Sequence, residues 1–392
     1  MDRRNAFTIL IFTASRLVMN IMFRLPYAFL PVLARGMGVD VGIFSPALGA
    51  RSFASASAPF FASLSDRRGR RSGMLLGLGI FLAGLMLVIA LPAFPAFVVT
   101  LLLTSIGNAA FNPAMGAFIG DRIPYSVRSR AIGLTEFGWS LSILIGIPLM
   151  GLVIRRYGWS APFPILLALG ALCFLAIVRL VPSDRGDFQQ VHGLEQGFRI
   201  VFRSRGAVLV LLTAMLIAGA NEALNLVFAV WIDVSFGLQI IALSAASIVI
   251  GFAELGGESL VALVTDRLGK VRSVLVGLLL NCLFVLILPI LPQSLPAVLA
   301  CLFFVYLTFE FSLVSLIPIS SEVLPDARAT LLAFTTTFFF LGRALMAFVA
   351  LPLFSAAGIW GITMITVVVN GLALGSLLLF RRQPESQLET HA

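Results

Sequence analysis

Polar and charged residues interrupt this chain only at long intervals, and the stretches between them are apolar for about 20 residues or more. Bounded by charge or by Pro/Gly punctuation, the apolar stretches fall at 6–34, 41–64, 73–92, 95–119, 130–154 and 160–181. After a gap they resume at 206–234, 239–264, 273–291, 296–320, 330–355 and 358–380. A helix needs about 20 apolar residues to cross the roughly 30 Å of hydrocarbon in a bilayer, and it satisfies its backbone hydrogen bonds internally on the way. The pattern therefore predicts an all-α integral membrane protein of twelve transmembrane helices, six plus six. Numbered 1 to 12 in chain order, these spans divide the chain into a first six-helix bundle (1–182), a linker (183–205), a second six-helix bundle (206–382) and a short tail (383–392). The linker is the longest polar stretch. Within it Phe198, Ile200, Val201 and Phe202 stand beside Arg199, Arg203 and Arg205, which predicts a short amphipathic helix lying on the membrane surface.

Composition agrees. Charged residues make up 11% of the chain, against about 25% in soluble domains, and the mean hydropathy of +1.04 leaves too little polar surface to cover a globule in water. A net charge of +9 would point to nucleic acid in a soluble protein. Here the basic residues occupy the gaps between apolar runs and read as topology charge, so no nucleic-acid partner is expected. Cys173, Cys282 and Cys301 sit inside apolar runs at unrelated spacings and signal neither a disulfide framework nor a metal cluster. The first run is too long for a signal-peptide core and lacks a cleavage site, so it reads as a retained span. No phosphate-binding loop, His-rich cluster or long extramembrane stretch is present. An ATP-driven pump, a lipid-modifying enzyme and a bound cofactor are therefore not expected.

An even number of spans puts both termini on one side. Arg3, Arg4, the 67–71 cluster, Arg122, Arg128, Arg130, the central linker, the 267–272 cluster, Arg328, Arg381 and Arg382 all fall there. Arg35, Arg155 and Arg156 fall on the other. The positive-inside rule then places both termini and the linker in the cytoplasm of a multi-pass plasma (inner) membrane protein.

Two of the basic gaps resemble each other. "SDRRGRRSG" (65–73) carries Asp66, Arg67, Gly69 and Arg70. "TDRLGKVRS" (265–273) carries Asp266, Arg267, Gly269, Lys270 and Arg272. Each is a tight turn between antiparallel helices, with a glycine free to adopt a positive φ and basic side chains placed at headgroup depth. The first loop resembles the hallmark of the major facilitator superfamily of secondary transporters, Gly-x-x-x-Asp-Arg-x-Gly-Arg-Arg, except that Ala62 stands at its first position. "DRIPYSVRSRAIG" (121–133) and its counterpart "EVLPDARATLLA" (322–333) fit the same family. The resemblance implies two six-helix bundles that rock about a central cavity lined by spans 1, 4, 7 and 10, in a monomer. It also implies that Asp66 and Arg70, with Arg67 and Gly69 of the same motif, form a conformational lock, of which Asp266 and Arg267 are a fainter mirror.

Polar residues within the spans are the candidate chemistry. Span 1 carries Arg16, Asn20, Arg24, Tyr27 and Pro31 as one helical stripe. Span 2 adds Arg51, and span 4 adds Ser105, Asn108 and Asn112. Span 7 carries Asn221, Glu222 and Asn225, span 8 Glu254 and Glu258, and span 10 Tyr306 and Glu310. Ionisable groups in a bilayer are costly, at least about 2.5–3.5 kcal/mol each at mid-span, so such a set implies compensation or use. Arg24, Asn20, Tyr27, Arg51, Asn108, Asn112, Asn221, Asn225 and Tyr306 are the expected substrate contacts. Glu222, Glu310, Glu254 and Glu258 are the expected proton carriers, because both histidines, His192 and His391, lie outside the spans. Arg16 is expected to snorkel towards the cytoplasm, and Glu136 to partner arginines of the cytoplasmic loops.

Arginines dominate the first half and glutamates the second, which suits an amphipathic or charged small solute. "GIPLMG" (146–151) and "YGWSAPF" (157–163) resemble elements of the proton-coupled drug and metabolite exporters of the superfamily. The expected function is therefore proton-coupled export by alternating access. The alternative is an importer, an organic-anion exchanger or a lipid transporter that uses Arg24 and Arg51 as its substrate site.

Overall fold

The structure, a computed structural model, describes residues 3–61, 65, 69–123, 125–182, 194–237, 240–291, 294–324 and 327–382. Among the described residues there is no strand. The chain forms two compact units, one of residues 1–191 with 238–248 and the other of residues 192–237 with 249–392.

In the first unit, α1 (Arg3–Met37), α2 (Phe44–Ser55), α3 (Arg70–Ala90), α4 (Phe94–Arg122), α5 (Tyr125–Leu141), α6 (Ile147–Tyr157) and α7 (Pro162–Leu180) follow one another. Pro26 and Pro31 each remove a donor from α1, and the backbone answers between them with a non-helical Phe29 at φ −124°, ψ 24°. A π turn, Ser142–Gly146, joins α5 to α6. Pro148 has no N–H to offer the Leu144 carbonyl, and the Ile147 N–H reaches five residues back to Ser142 O. Glycine sets the helix spacing. A Cβ on Gly107 would stand 2.5 Å from Gly77 O, so α3 and α4 touch backbone to backbone. Likewise Gly138 packs on Thr13 O and Arg16 of α1, and Gly146 on Ile21. Lipid tails are as apolar as leucine, so close van der Waals packing of this kind, rather than expulsion of water, holds such helices together.

The second unit contains α8 (Leu194–Arg203), α9 (Arg205–Phe236), most of α10 (Ile240–Leu268), α11 (Lys270–Ile287), α12 (Leu295–Glu322) and α13 (Arg328–Arg381). As a straight rod the 54 residues of α13 would run about 80 Å at 1.5 Å each, far beyond the hydrocarbon thickness. Gly358, at φ 60° and ψ −155°, breaks the rod. α9 crosses α13 where Gly342 meets Met215, and a Cβ on Gly342 would stand 2.7 Å from the Met215 carbonyl carbon. Around this crossing Leu211, Leu278, Leu316, Leu331 and Leu377 form a buried core. Hydrogen bonds tie three helices together. Asn281 of α11 donates to Val305 O (2.8 Å) and Thr308 Oγ1 (3.2 Å) of α12, and Asn370 of α13 donates to Asn281 Oδ1 (2.8 Å). The amphipathic linker helix is α8. Its Val201 is fully buried, and its Phe198 and Phe202 rings stack on each other at 4.2 Å and meet Phe334 of α13 edge-on at 5.8 and 5.9 Å.

Ten helices among the described residues are long and apolar enough to cross a membrane. They take in all the predicted spans except the second, because Thr330–Arg381 holds two of them. The predicted continuous span at 41–64 departs from the structure. It opens with a 3₁₀ turn, Val41–Ile43, whose Gly42 N–H is capped by Asp40. It then stays helical through Ser55 and is interrupted at Ala56 and Ser57.

Candidate transport site

The polar stripe of α1 is buried: Asn20, Arg24 and Tyr27 are all under a tenth exposed. Arg51 of α2, 1% exposed, reaches across to it. Its guanidinium donates to Phe23 O (2.8 Å) and to the Tyr27 hydroxyl (2.7 Å), and its Cζ lies 4.1 Å from the Phe23 ring centroid. Arg24 turns the other way and stacks on Trp139 of α5, 4.0 Å from the ring centroid. Phe23 and Trp139 are themselves 6.1 Å apart, centroid to centroid. The result is a box of two guanidinium groups and three aromatic rings. Stacked guanidinium is the weakly hydrated cation best suited to such a place. The Asn20 Nδ2 is buried with no hydrogen-bond acceptor among the described residues, a donor available to a solute. On α4 the Asn112 amide donates to Asn108 Oδ1, so these two are half satisfied by each other.

In the second unit the carboxylates are held in two groups. Glu222, with no exposed surface, meets Arg343 of α13, Oε2 to Nη2, at 2.6 Å. Both lie beside the Gly219/Gly342 crossing, where the close backbone approach brings α9 and α13 near enough for the pair to form. Glu310 packs at a second crossing, on the stretch of α10 that carries Glu254 and Glu258. A Cβ on Gly257 would stand 2.7 Å from Glu310 Cβ, and Gly257 lies one residue before Glu258 and three after Glu254. Glu310 and Glu254 are each 8% exposed, and Glu258 is half-buried. Nearby, the Tyr306 hydroxyl donates to Asn225 Oδ1 at 2.9 Å, and Asn221 is buried on α9.

The two similar loops are similar in geometry. Gly69 adopts φ 96°, ψ 147° and Gly269 adopts φ 90°, ψ 137°. Gly69 N donates to Ser65 O and Gly269 N to Thr265 O, each at 2.9 Å. The residue after each glycine then makes an ion pair with the end of the helix that follows. Arg70 Nε meets Asp121 Oδ2 at 3.1 Å, and Lys270 meets Glu322. Asp66 and Arg67 lie outside the described residues, as does the side chain of Asp266, while Arg267 is exposed.

A repeated turn of this kind, in a chain of paired glycine-packed helices, is matched by a family model. The Major Facilitator Superfamily model aligns with residues 12–347. The chain belongs to the major facilitator superfamily. YceJ of Bacillus subtilis, an MFS-type transporter, is 24% identical over 297 residues, which cover 76% of this chain and 75% of its own. The multidrug resistance protein MdtG of Proteus mirabilis is 25% identical over 183 residues, 46% of this chain and 45% of its own. In fold the chain is similar, over 100% of both chains with a TM-score of 0.79 and 17% identity, to a bacterial homolog of the human lysosomal transporter Spinster in an inward-facing, unoccupied conformation. This major facilitator is thus a multi-pass membrane protein and a secondary transporter, not an enzyme, and it works by alternating access.

Within this major facilitator the predicted residues are partly gathered. Asn20, Arg24, Tyr27 and Arg51 share one site, Asn225 pairs with Tyr306, and Glu310 packs on Gly257 beside the α10 glutamates. Asn108 and Asn112 form a separate pair on α4. Arg16, expected to snorkel towards the cytoplasm, and Glu136, expected to partner loop arginines, pair with each other, at 2.5 and 2.9 Å in a bidentate geometry, because Gly138 lets α5 lie directly on the Arg16 turn of α1. The sequence reading missed the partners Phe23, Trp139, Asp121 and Glu322, and it left Arg343 without a carboxylate. Asp121 and Glu322 had a usable signal, since each opens one of the two matching segments at 121–133 and 322–333.

Proposed function

We propose that this major facilitator is a proton-coupled exporter of small amphipathic or charged solutes, a monomer in a plasma (inner) membrane with both termini in the cytoplasm. The observation that carries this reading is the Glu222–Arg343 pair, enclosed in the second unit with side-chain exposures of 0% and 6%. A proton on Glu222 cancels the charge that holds Arg343, so protonation has a mechanical consequence there. Glu310, Glu254 and Glu258 are assigned the same duty at the Gly257 crossing. The arginine–aromatic box of Arg24, Arg51 and Tyr27, with the free Asn20 donor, is assigned to solute recognition, together with Asn108, Asn112, Asn221, Asn225 and Tyr306. Asp66, Arg67, Gly69 and Arg70, with Asp266 and Arg267, are assigned to a lock worked through the Arg70–Asp121 and Lys270–Glu322 pairs. Support for export comes from the likeness to a multidrug resistance protein over nearly half the chain.

The deciding experiment is proton flux in liposomes holding the purified protein, with a pH-sensitive dye inside and cationic, zwitterionic and anionic amphiphiles outside. Solute-dependent proton movement that vanishes in Glu222→Gln is expected. A second reading, an organic-anion exchanger, is favoured by the fully buried Arg51. Exchange of anions without proton movement, lost in Arg51→Gln and kept in Glu222→Gln, would replace the first reading with this one.

A further inference from the structure

We propose that the second unit also carries a binding site for the phosphate headgroup of an anionic phospholipid, in the cleft at the α10–α11 turn. The cleft has a volume of about 640 Å³ and is lined by Thr265, Arg267, Lys270, Val271, Arg272 and Arg381 among others. That volume lies within the roughly 300–1,000 Å³ typical of small-molecule sites. The sequence assembles it simply. Gly269 at φ 90° reverses the chain within one residue, so Arg267, Lys270 and Arg272 crowd around a single turn, and α13 ends beside them at Arg381.

Four cations share the cleft. Lys270 is drawn to Glu322, while Arg267, Arg272 and Arg381 have no carboxylate partner among the described residues. The equivalent turn of the first unit is arranged differently. There Arg70 is drawn to Asp121 and Arg71 donates to Val178 O at the end of α7, so both of these basic groups are engaged by protein.

The occupant follows from what adjoins the cations. Val276, Leu279 and Leu283 of α11 lie along one exposed face leading away from Arg272, and Leu378 and Leu379 are exposed on the last turn of α13 next to Arg381. A basic pocket at headgroup depth above apolar helix faces fits a molecule with a phosphate at one end and acyl chains at the other. A free phosphate would use the cations and leave the apolar faces idle.

The test is native mass spectrometry of the purified full-length protein titrated with phosphatidylglycerol or phosphatidylcholine. Phosphatidylglycerol should be retained preferentially. Retention should fall roughly twenty-five-fold in Arg272→Gln/Arg381→Gln, a factor of about five for each cation. It should survive in Arg272→Lys/Arg381→Lys, which keeps the charge and excludes misfolding as the cause of the loss. Arg382→Gln, outside the cleft, should change little. Equal loss in Arg382→Gln, or equal retention of the two lipids, would overturn the proposal. So would displacement of phosphatidylglycerol by millimolar inorganic phosphate, which would make the cleft a site for a soluble anion.

Discussion

Replacing Arg343 by methionine removes the cation from Glu222 without removing much volume. The carboxylate has no exposed surface and sits 2.6 Å from the guanidinium. With charge centres about 4 Å apart and an effective dielectric of about 20, the attraction is about 4 kcal/mol. Desolvation costs several kcal/mol for each ion, so the pair as a whole contributes little net stability. Its halves do not behave that way. Either Arg343→Met or Glu222→Met strands a buried charge and should cost about 3–5 kcal/mol. The double variant removes both charges and should lie within about 1 kcal/mol of the parent. The coupling energy from this cycle is then at least about 5 kcal/mol, more than a thousandfold in the folding equilibrium. SDS-titrated unfolding of the purified protein in mixed micelles measures all four variants. Single losses below about 1 kcal/mol, or a double variant equal to the sum of the singles, would refute the account of an enclosed ion pair.

Two further outcomes are expected from the packing. Gly342→Ala places a Cβ against the Met215 carbonyl, 2.7 Å from its carbon and 3.0 Å from its Cα. Backbone cannot swing aside, so the variant should lose about 1–3 kcal/mol in the same unfolding assay. Gly219→Ala, whose Cβ would stand 3.2 Å from Gly342 O, should lose clearly less, and equal losses would contradict the crossing geometry. Arg51→Lys keeps the charge but loses the fork that reaches Phe23 O and the Tyr27 hydroxyl together. It should cost about 1.5–3 kcal/mol, whereas an unchanged unfolding midpoint would show that a point charge suffices.

Hydrophobicity made the helices legible. Apolar runs in a bilayer have one backbone solution, so even the 54-residue α13 was foreseen as two segments, 330–355 and 358–380. The break in the second span was not foreseen, because Ala56 and Ser57 look no less helical than their neighbours. The candidate site was legible as residue types and illegible as partnerships. Arg16 and Glu136 lie 120 positions apart, and the glycine at 138 lets their helices touch at that turn. Glu222 and Arg343 meet through a similar glycine crossing. A sequence records which residues are glycine but not which backbone each one admits. Trp139 was invisible for a simpler reason: an aromatic residue in an apolar span looks like packing until a guanidinium is found on its face.

The π turn of the fifth span has a consequence for the phase of that helix. Residues along a regular α-helix advance by about 100° each, so Gly138 and Gly146, eight positions apart, would point about 80° away from each other. The wider turn at Ser142–Gly146 takes up that excess, and both glycines meet α1, at Thr13 and at Ile21. The helix therefore has two halves held in step by a single surplus residue. Loss of one residue there would leave the composition almost untouched and rotate everything beyond it by about 100°, carrying Gly151 away from Phe29, which it now faces. Here chain length, rather than side-chain chemistry, sets the orientation.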